Sequence, residues 1–329
     1  MPPLTRMSSL RRKAFNNPRL AAFGLLLVAM VWGATFVLTA NTLQSYPVFG
    51  FLGWRFLVAT LAFGVLFAPR LLRSFRNIHL PSLYTALGAG VFLSLGYIFQ
   101  TTGLIPADLG GTTPARTAFI TGFYVILVPL GQFIFRRQTP RKGVILGIIF
   151  ALGGLWFLSG LGFASSQTHW VWGDTMVLIS SCAYAAHMLV LGQANGSHDT
   201  VLMTFIQLAL VMIVCAAMSV VTQEQAGIPQ TIDVWLSIVV CGVFASAFAF
   251  AVQTWAQQVM VPARVALILV LEPAFGGLFG WLAAGAVIWY EFAGATLMIG
   301  GMMLSELWGI DKAKVKPSVE GPIVLIDEQ

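Results

Sequence analysis

Apolar residues run along this chain in blocks of about 20, the length a helix needs to cross the hydrocarbon core of a bilayer. By that ruler ten candidate spans lie at about 20–42, 47–68, 82–104, 113–135, 143–163, 174–193, 200–221, 233–258, 263–283 and 288–308. Glycine and proline inside the blocks are no objection, because neighbouring helices re-satisfy the backbone groups they free. The eighth block is the longest, which predicts a tilted or partly interfacial helix. The pattern predicts an all-α membrane protein.

The blocks repeat. Pro262 to Trp281 (PARVALILVLEPAFGGLFGW) echoes Pro114 to Pro129 (PARTAFITGFYVILVP). Gln100-Thr101 in the third block is matched by Gln253-Thr254 in the eighth. Gly147, Gly153 and Gly154 in the fifth match Gly294, Gly300 and Gly301 in the tenth at identical spacing. Five spans per copy is an odd number, so the copies must be inverted across the membrane, an architecture that recurs in secondary transporters. The first repeat is expected over 20–163 and the second over 173–308, between a basic tail (1–19) and a polar tail (309–329) expected to be disordered.

Composition agrees with lipid as the solvent, with 58% hydrophobic and 9% charged residues among 329. The net charge of +6 does not point to nucleic acid, because the basic residues sit in short runs between apolar blocks. Placing both termini in the cytoplasm puts inside Arg6, Arg11, Arg12, Lys13 and Arg19, the Arg70/Arg73/Arg76 loop, the Arg136/Arg137/Arg141/Lys142 loop and Lys312, Lys314 and Lys316. The outer loops then hold Asp108, Asp174, Glu224 and Asp233. The first apolar run is too long for a signal peptide and lacks a clear cleavage site, so it reads as an uncleaved first helix. Cys182, Cys215 and Cys241 lie inside apolar blocks without metal-ligand spacing and read as packing residues.

Several of these runs resemble the drug/metabolite transporter superfamily, specifically the EamA-type permeases. They are Trp32-Gly33 with Phe36, Trp54-Arg55-Phe56, AFITGFYVILVPL, GLWFLSG, Ala183–His187, QTWAQ and ALILVLEPAFGGLFGWL, which together cover nearly all of 20–308. The resemblance implies ten helices in two inverted five-helix repeats, and outward movement of small metabolites, often amino acids or drugs. Two stretches depart from that pattern. Ala284-Gly285-Ala286 stands where members often carry Gly-Glu after the ninth helix, and the loop Ile105–Thr113 is longer and more polar than usual.

Ionisable groups at membrane depth cost at least about 2.5–3.5 kcal/mol on insertion scales, so each needs a reason. Glu272 lies mid-block, and Pro273 removes a backbone donor beside it. It is either a proton-coupling or amine-binding group, or an acid that braces a kink. His187 is the one histidine deep in a block, and it reads either as a proton or ligand contact or as a packed residue bonded to a carbonyl. For Arg55 a structural or orienting role is favoured over substrate binding, with the side chain able to snorkel outward. Arg116 and Arg264 open the fourth and ninth blocks as symmetry-related gate or headgroup residues. Trp32, Tyr97, Tyr124, Tyr184 and Trp255 supply aromatic surface, and Gln100 and Gln253 supply paired amides. Aromatic walls with a few polar groups suit a small amphipathic ligand, although each aromatic alone also serves as packing.

Paired intramembrane aspartates, H-E-x-x-H, G-x-S-x-G and P-loop patterns are absent, so no enzyme and no cofactor is expected. The leading expectation is a multi-pass plasma (inner) membrane transporter that exports a small metabolite, amino acid-like, or a drug by alternating access, with proton coupling through Glu272 open. Its partners are a small-molecule substrate and membrane lipids, with a homodimer left open. The alternatives are a lipid-handling protein or scramblase, and an exchanger of phosphorylated solutes.

Overall fold

The computed structural model describes residues 17–137, 139–140, 142–158, 170–194, 198–224, 227–284 and 289–308. The expectations for the tails, for Arg6, Arg11, Arg12, Lys13, Arg141, Lys312, Lys314 and Lys316, for 159–163, and for Gly285-Ala286 lie outside the described residues. Among the described residues all regular structure is helical, with no strand.

The helices are α1 (Pro18–Thr42), α2 (Val48–Leu66), α3 (Ala68–Arg76), α4 (Leu80–Gly103), α5 (Pro114–Thr121), α6 (Tyr124–Arg136) and α7 (Lys142–Leu158). They continue with α8 (Trp172–Leu191), α9 (Thr200–Val221), α10 (Ile232–Gly242), a π-helical turn (Val243–Phe248), α11 (Ala249–Val259), α12 (Pro262–Leu269), α13 (Glu272–Ala284) and α14 (Trp289–Trp308). Seven stretches among the described residues are long and apolar enough to cross a membrane. These are α1, α2, α4, α5 with α6 (Pro114–Phe135), α8, α9, and α10 through α11 (Ile232–Val259). Lys142–Phe157 and Phe292–Leu304 are apolar but shorter.

Local chemistry sets the ends. Asn17 accepts from the Arg19 amide at 3.0 Å, Thr113 from Arg116 at 3.3 Å, and Asp199 from Val201 at 3.0 Å, each satisfying a donor that a helix start leaves open. Proline occupies the first turns of α1, α3, α4, α5 and α12, where its missing N–H is harmless. No side chain of its own caps α2. Instead Glu224, from the loop after α9, accepts from the amides of Phe49 (3.2 Å) and Gly50 (2.9 Å).

The block at 263–283 is two helices rather than one kinked span. Leu271 bonds back only three residues, to Ile268 at 3.2 Å, and Pro273 has no N–H to continue the ladder. The same tightening occurs at Phe123, bonded to Ile120 at 3.1 Å, although no proline marks it there.

Two apolar cores fill the bundle. One joins α1, α6, α7, α8 and α11 to α14; the other joins α1, α2, α4, α9 and α10, and Trp32 and Tyr184 touch both. Glycines set the closest approaches. A Cβ on Gly33 of α1 would lie 2.5 Å from the Glu272 carbonyl, which lets α1 rest against the start of α13. At the α7–α14 crossing, a Cβ on Gly154 would lie 2.6 Å from the Gly294 carbonyl, and one on Gly301 would lie 3.0 Å from the Gly147 carbonyl.

Candidate functional site

Between the two cores lies a cavity of about 640 Å³. α1 lines it with Trp32, Thr35, Phe36 and Thr39, and α4 with Tyr97, Gln100, Thr101 and Leu104. Both sets have the i, i+3, i+4, i+7 spacing of one helical face. Opposite stand Tyr184, His187 and Met188 of α8, Phe250 and Gln253 of α11, and Thr121, Tyr124 and Glu272 at the two interruptions. The cavity reaches toward the end of the bundle where α1 and α4 finish. Beyond its other limit the helices are locked together. Gln257 Nε2 donates to the Met188 carbonyl at 2.8 Å, the Ala263 amide donates to Gln132 Oε1 at 3.1 Å, and a Cβ on Gly192 would lie 2.2 Å from Pro262.

Arg55 sits about 10 Å along α2 from its start, and it is 5% exposed. Its Nε donates to Ser246 Oγ at 2.9 Å, and its Nη2 to the Tyr97 hydroxyl at 3.1 Å and the Ala245 carbonyl at 3.5 Å. The guanidinium carbon lies 4.7 Å from the Tyr97 ring centre and 5.5 Å from that of Phe56, within cation–π range. The π-helical turn makes this possible, because its widened ladder leaves the Ala245 carbonyl open to side chains; Trp32 Nε1 also donates to it, at 2.8 Å. Trp32, Tyr97 and His187 each meet the Phe250 ring with centres 5.7, 5.9 and 6.0 Å apart, so the aromatic wall is continuous.

The polar groups differ in how well they are satisfied. Gln100 uses both amide ends, donating to Thr121 Oγ1 and accepting from the Tyr184 hydroxyl, each at 3.0 Å. Gln207 Nε2 donates to the Met203 carbonyl (3.0 Å) and to Thr254 (3.4 Å), so its Oε1 faces His187 and accepts from Nε2–H at 2.8 Å. By contrast the Tyr124 hydroxyl and Gln253 Oε1 are buried without a partner. No hydrogen bond reaches the Glu272 carboxyl among the described residues. The ion pairs there are Arg70–Asp199 and Arg116–Asp174, and neither includes Arg55 or Glu272.

Of the residues singled out in the sequence, Trp32, Tyr97, Gln100, Tyr124, Tyr184, His187, Gln253, Glu272 and Arg55 therefore line one cavity. Trp255 does not; it packs against the first core. Arg264 is partly buried at the start of α12. Arg116 is buried at the start of α5 and bound through Nη2, and through Nε at 3.2 Å, to Asp174. Asp174 is fully buried in the first turn of α8 and also accepts from Thr112 Oγ1 (2.6 Å) and the Val171 amide (3.0 Å). This pair ties the Ile105–Thr113 loop to α8. Thr35, Thr39, Thr101 and Thr121 were not singled out. The helical spacing from Trp32 and Tyr97 was the signal that finds the first three.

Apolar helices of spanning length, stacked around an aromatic cavity with its polar groups turned inward, make this an integral, multi-pass membrane protein. The profile of the EamA-like transporter family matches residues 19–160 and 171–307, and the chain belongs to that family. It is 28% identical over 290 residues to an uncharacterized transporter of Archaeoglobus fulgidus, covering 87% of this chain and 86% of that one. It is 25% identical over 289 residues to the uncharacterized inner membrane transporter YedA of Escherichia coli, covering 82% and 89%. One solved crystal structure superimposes with a TM-score of 0.70 at 16% identity, over 88% of this chain and 97% of the other, which is a likeness of fold. The chain is thus a membrane transporter for a small molecule.

Proposed function

We propose that the protein is a secondary transporter of the inner membrane that exports a small metabolite, amino acid-like, or a drug by alternating access. Its frame would be ten membrane crossings in two inverted repeats, 20–163 and 173–308, with both termini cytoplasmic. The observation that carries this reading is the cavity itself: it lies between the two cores and holds unsatisfied polar atoms on Tyr124 and Gln253. Such atoms in a dry interior are unfavourable unless a ligand or water completes them.

Symmetry supports the frame. α5, a two-residue link and α6 span 8 and 13 residues, and so do α12, its link and α13. Tyr124 and Glu272 thus hold the same place, each first after its interruption and each at the cavity. Exchanging the halves maps the packing of α4 on α8 onto that of α11 on α1, and α1 on α13 onto α8 on α6. The α7–α14 glycine crossing is reciprocal in the same sense. Inward-facing polar groups argue against a lipid groove. One arginine, with no lysine, among the lining residues argues against phosphorylated solutes.

The test is proton and substrate flux in proteoliposomes loaded with a pH-sensitive dye, with pools of amino acids and cationic drugs, for wild type and Glu272→Gln. Proton movement with one pool, lost in the variant, makes Glu272 the coupling group. Substrate movement without protons in both leaves Glu272 as a brace of the α12–α13 link. Flipping of labelled lipid without solute movement refutes the proposal.

A further inference from the structure

We infer that Arg55 is the receptor for the anionic end of the substrate, and that the substrate is a small monocarboxylate carrying a hydrogen-bond donor at its other end. This rests on the reading of the cavity as the transport site. Sequence alone favours an orienting role, but the surroundings of Arg55 are those of a receptor. Every group that holds it is neutral: a serine hydroxyl, a tyrosine hydroxyl, a backbone carbonyl and two ring faces. No carboxylate is within ion-pair distance among the described residues. Nε and Nη2 are engaged, and Nη1 donates to nothing among those residues.

A guanidinium serving only to fasten α2 to the π-helical turn would be a costly choice, since a buried, uncompensated charge is destabilising and a neutral donor can fasten as well. Neutral partners that fix the plane of the guanidinium while leaving its charge unspent instead preorganise it for an oxyanion.

The rest of the cavity narrows the ligand. Arg55 is the sole lysine or arginine among the lining residues, and Glu272 shares the cavity, so a phosphate dianion would bring more negative charge than one guanidinium meets. Gln253 Oε1 and the Glu272 carboxyl are acceptors in want of a donor, and an amine or hydroxyl on the ligand would supply one. Between them the Trp32–Phe250–Tyr97 wall accommodates an apolar or aromatic body.

The experiment uses the full chain in detergent and follows its thermal unfolding. The probes are L-phenylalanine, 3-phenyllactate and 3-phenylpropionate, each beside its neutral carboxamide. Phenylalanine and phenyllactate are expected to raise the unfolding midpoint, binding roughly tenfold tighter than their amides, with phenylpropionate weaker for want of a donor. Arg55→Lys is expected to retain part of the preference and Arg55→Gln none. Should Arg55→Gln fold poorly, the carboxylate–amide comparison on wild type stands alone. Amides binding as well as acids, or no acid shifting the wild type, would overturn the inference. Counterflow in proteoliposomes separates the two readings. Acids and amides moving alike refutes the anion receptor and keeps the transporter; acids that bind but never move do the reverse.

Discussion

The Arg116–Asp174 pair offers the sharpest test of how this bundle is held together. Asp174 is fully buried and accepts from four donors: Arg116 Nε and Nη2, Thr112 Oγ1 and the Val171 amide. Bonds to a charged group are worth about 1.5–3 kcal/mol each, but they are not additive, and desolvation of both ions opposes them. The measurable quantity is the loss on removing one partner of a buried pair, about 3–5 kcal/mol. Asp174→Asn removes the carboxylate while keeping its shape, and Arg116→Met removes the guanidinium while keeping much of its stem. Each should lower the unfolding midpoint by several degrees. The double variant should lose well under the sum, because one substitution already forfeits the interaction. A coupling of at least about 1.5 kcal/mol is expected. A thiol-reactive dye reports the transition, since Cys215 and Cys241 are buried and react on unfolding, while exposed Cys182 gives a constant background. Single losses under about 1 kcal/mol, or losses additive within about 0.5 kcal/mol, would refute the reasoning.

Other substitutions separate cavity from scaffold. Tyr124→Phe removes a hydroxyl that has no partner, so thermal stability should hold or rise by up to about 1 kcal/mol while substrate flux falls; a clear loss of stability would mean the hydroxyl is bonded. Gly154→Leu and Gly301→Leu should each destabilise by about 1–3 kcal/mol or more and to similar degrees, since each places a side chain against backbone across the same crossing; unfolding midpoints that differ widely would contradict that equivalence. Glu224→Ala should uncap α2 from a distance, costing about 0.5–2 kcal/mol and speeding amide exchange at Phe49 and Gly50; unchanged exchange there would remove the cap.

Much of the architecture is legible in the sequence because a bilayer leaves the backbone few options. Apolar blocks must be helices, and the Pro-Ala-Arg and glycine repeats mark positions where α5 and α12 begin and where α7 and α14 cross. The aromatic, glutamine and glutamate positions that converge on the cavity stand out as polar or π-bearing residues at membrane depth. What was not legible depends on partners far along the chain. Arg55 meets Ser246 across 191 residues, and nothing local says that its companions are neutral. Asp174 reads as a loop acid until the Ile105–Thr113 loop folds back over it. The interruption at Gly122–Phe123 carries no proline, unlike the one before Pro273, so only the repeat hints at it. The π-helical turn has no signature in composition.

That turn sets the phase of everything after it. Successive residues of an α-helix point about 100° apart around its axis. A π-helical turn accommodates one residue beyond what the regular winding holds. Deleting a single residue within Val243–Phe248 would let α10 run into α11 without interruption and swing Phe250 and Gln253 by about a quarter turn, off the cavity and toward the neighbouring helices. Helix length, apolarity and membrane span would barely change. A loss of one codon there would thus leave a protein that inserts and folds around the wrong lining, an outcome no hydropathy profile would register.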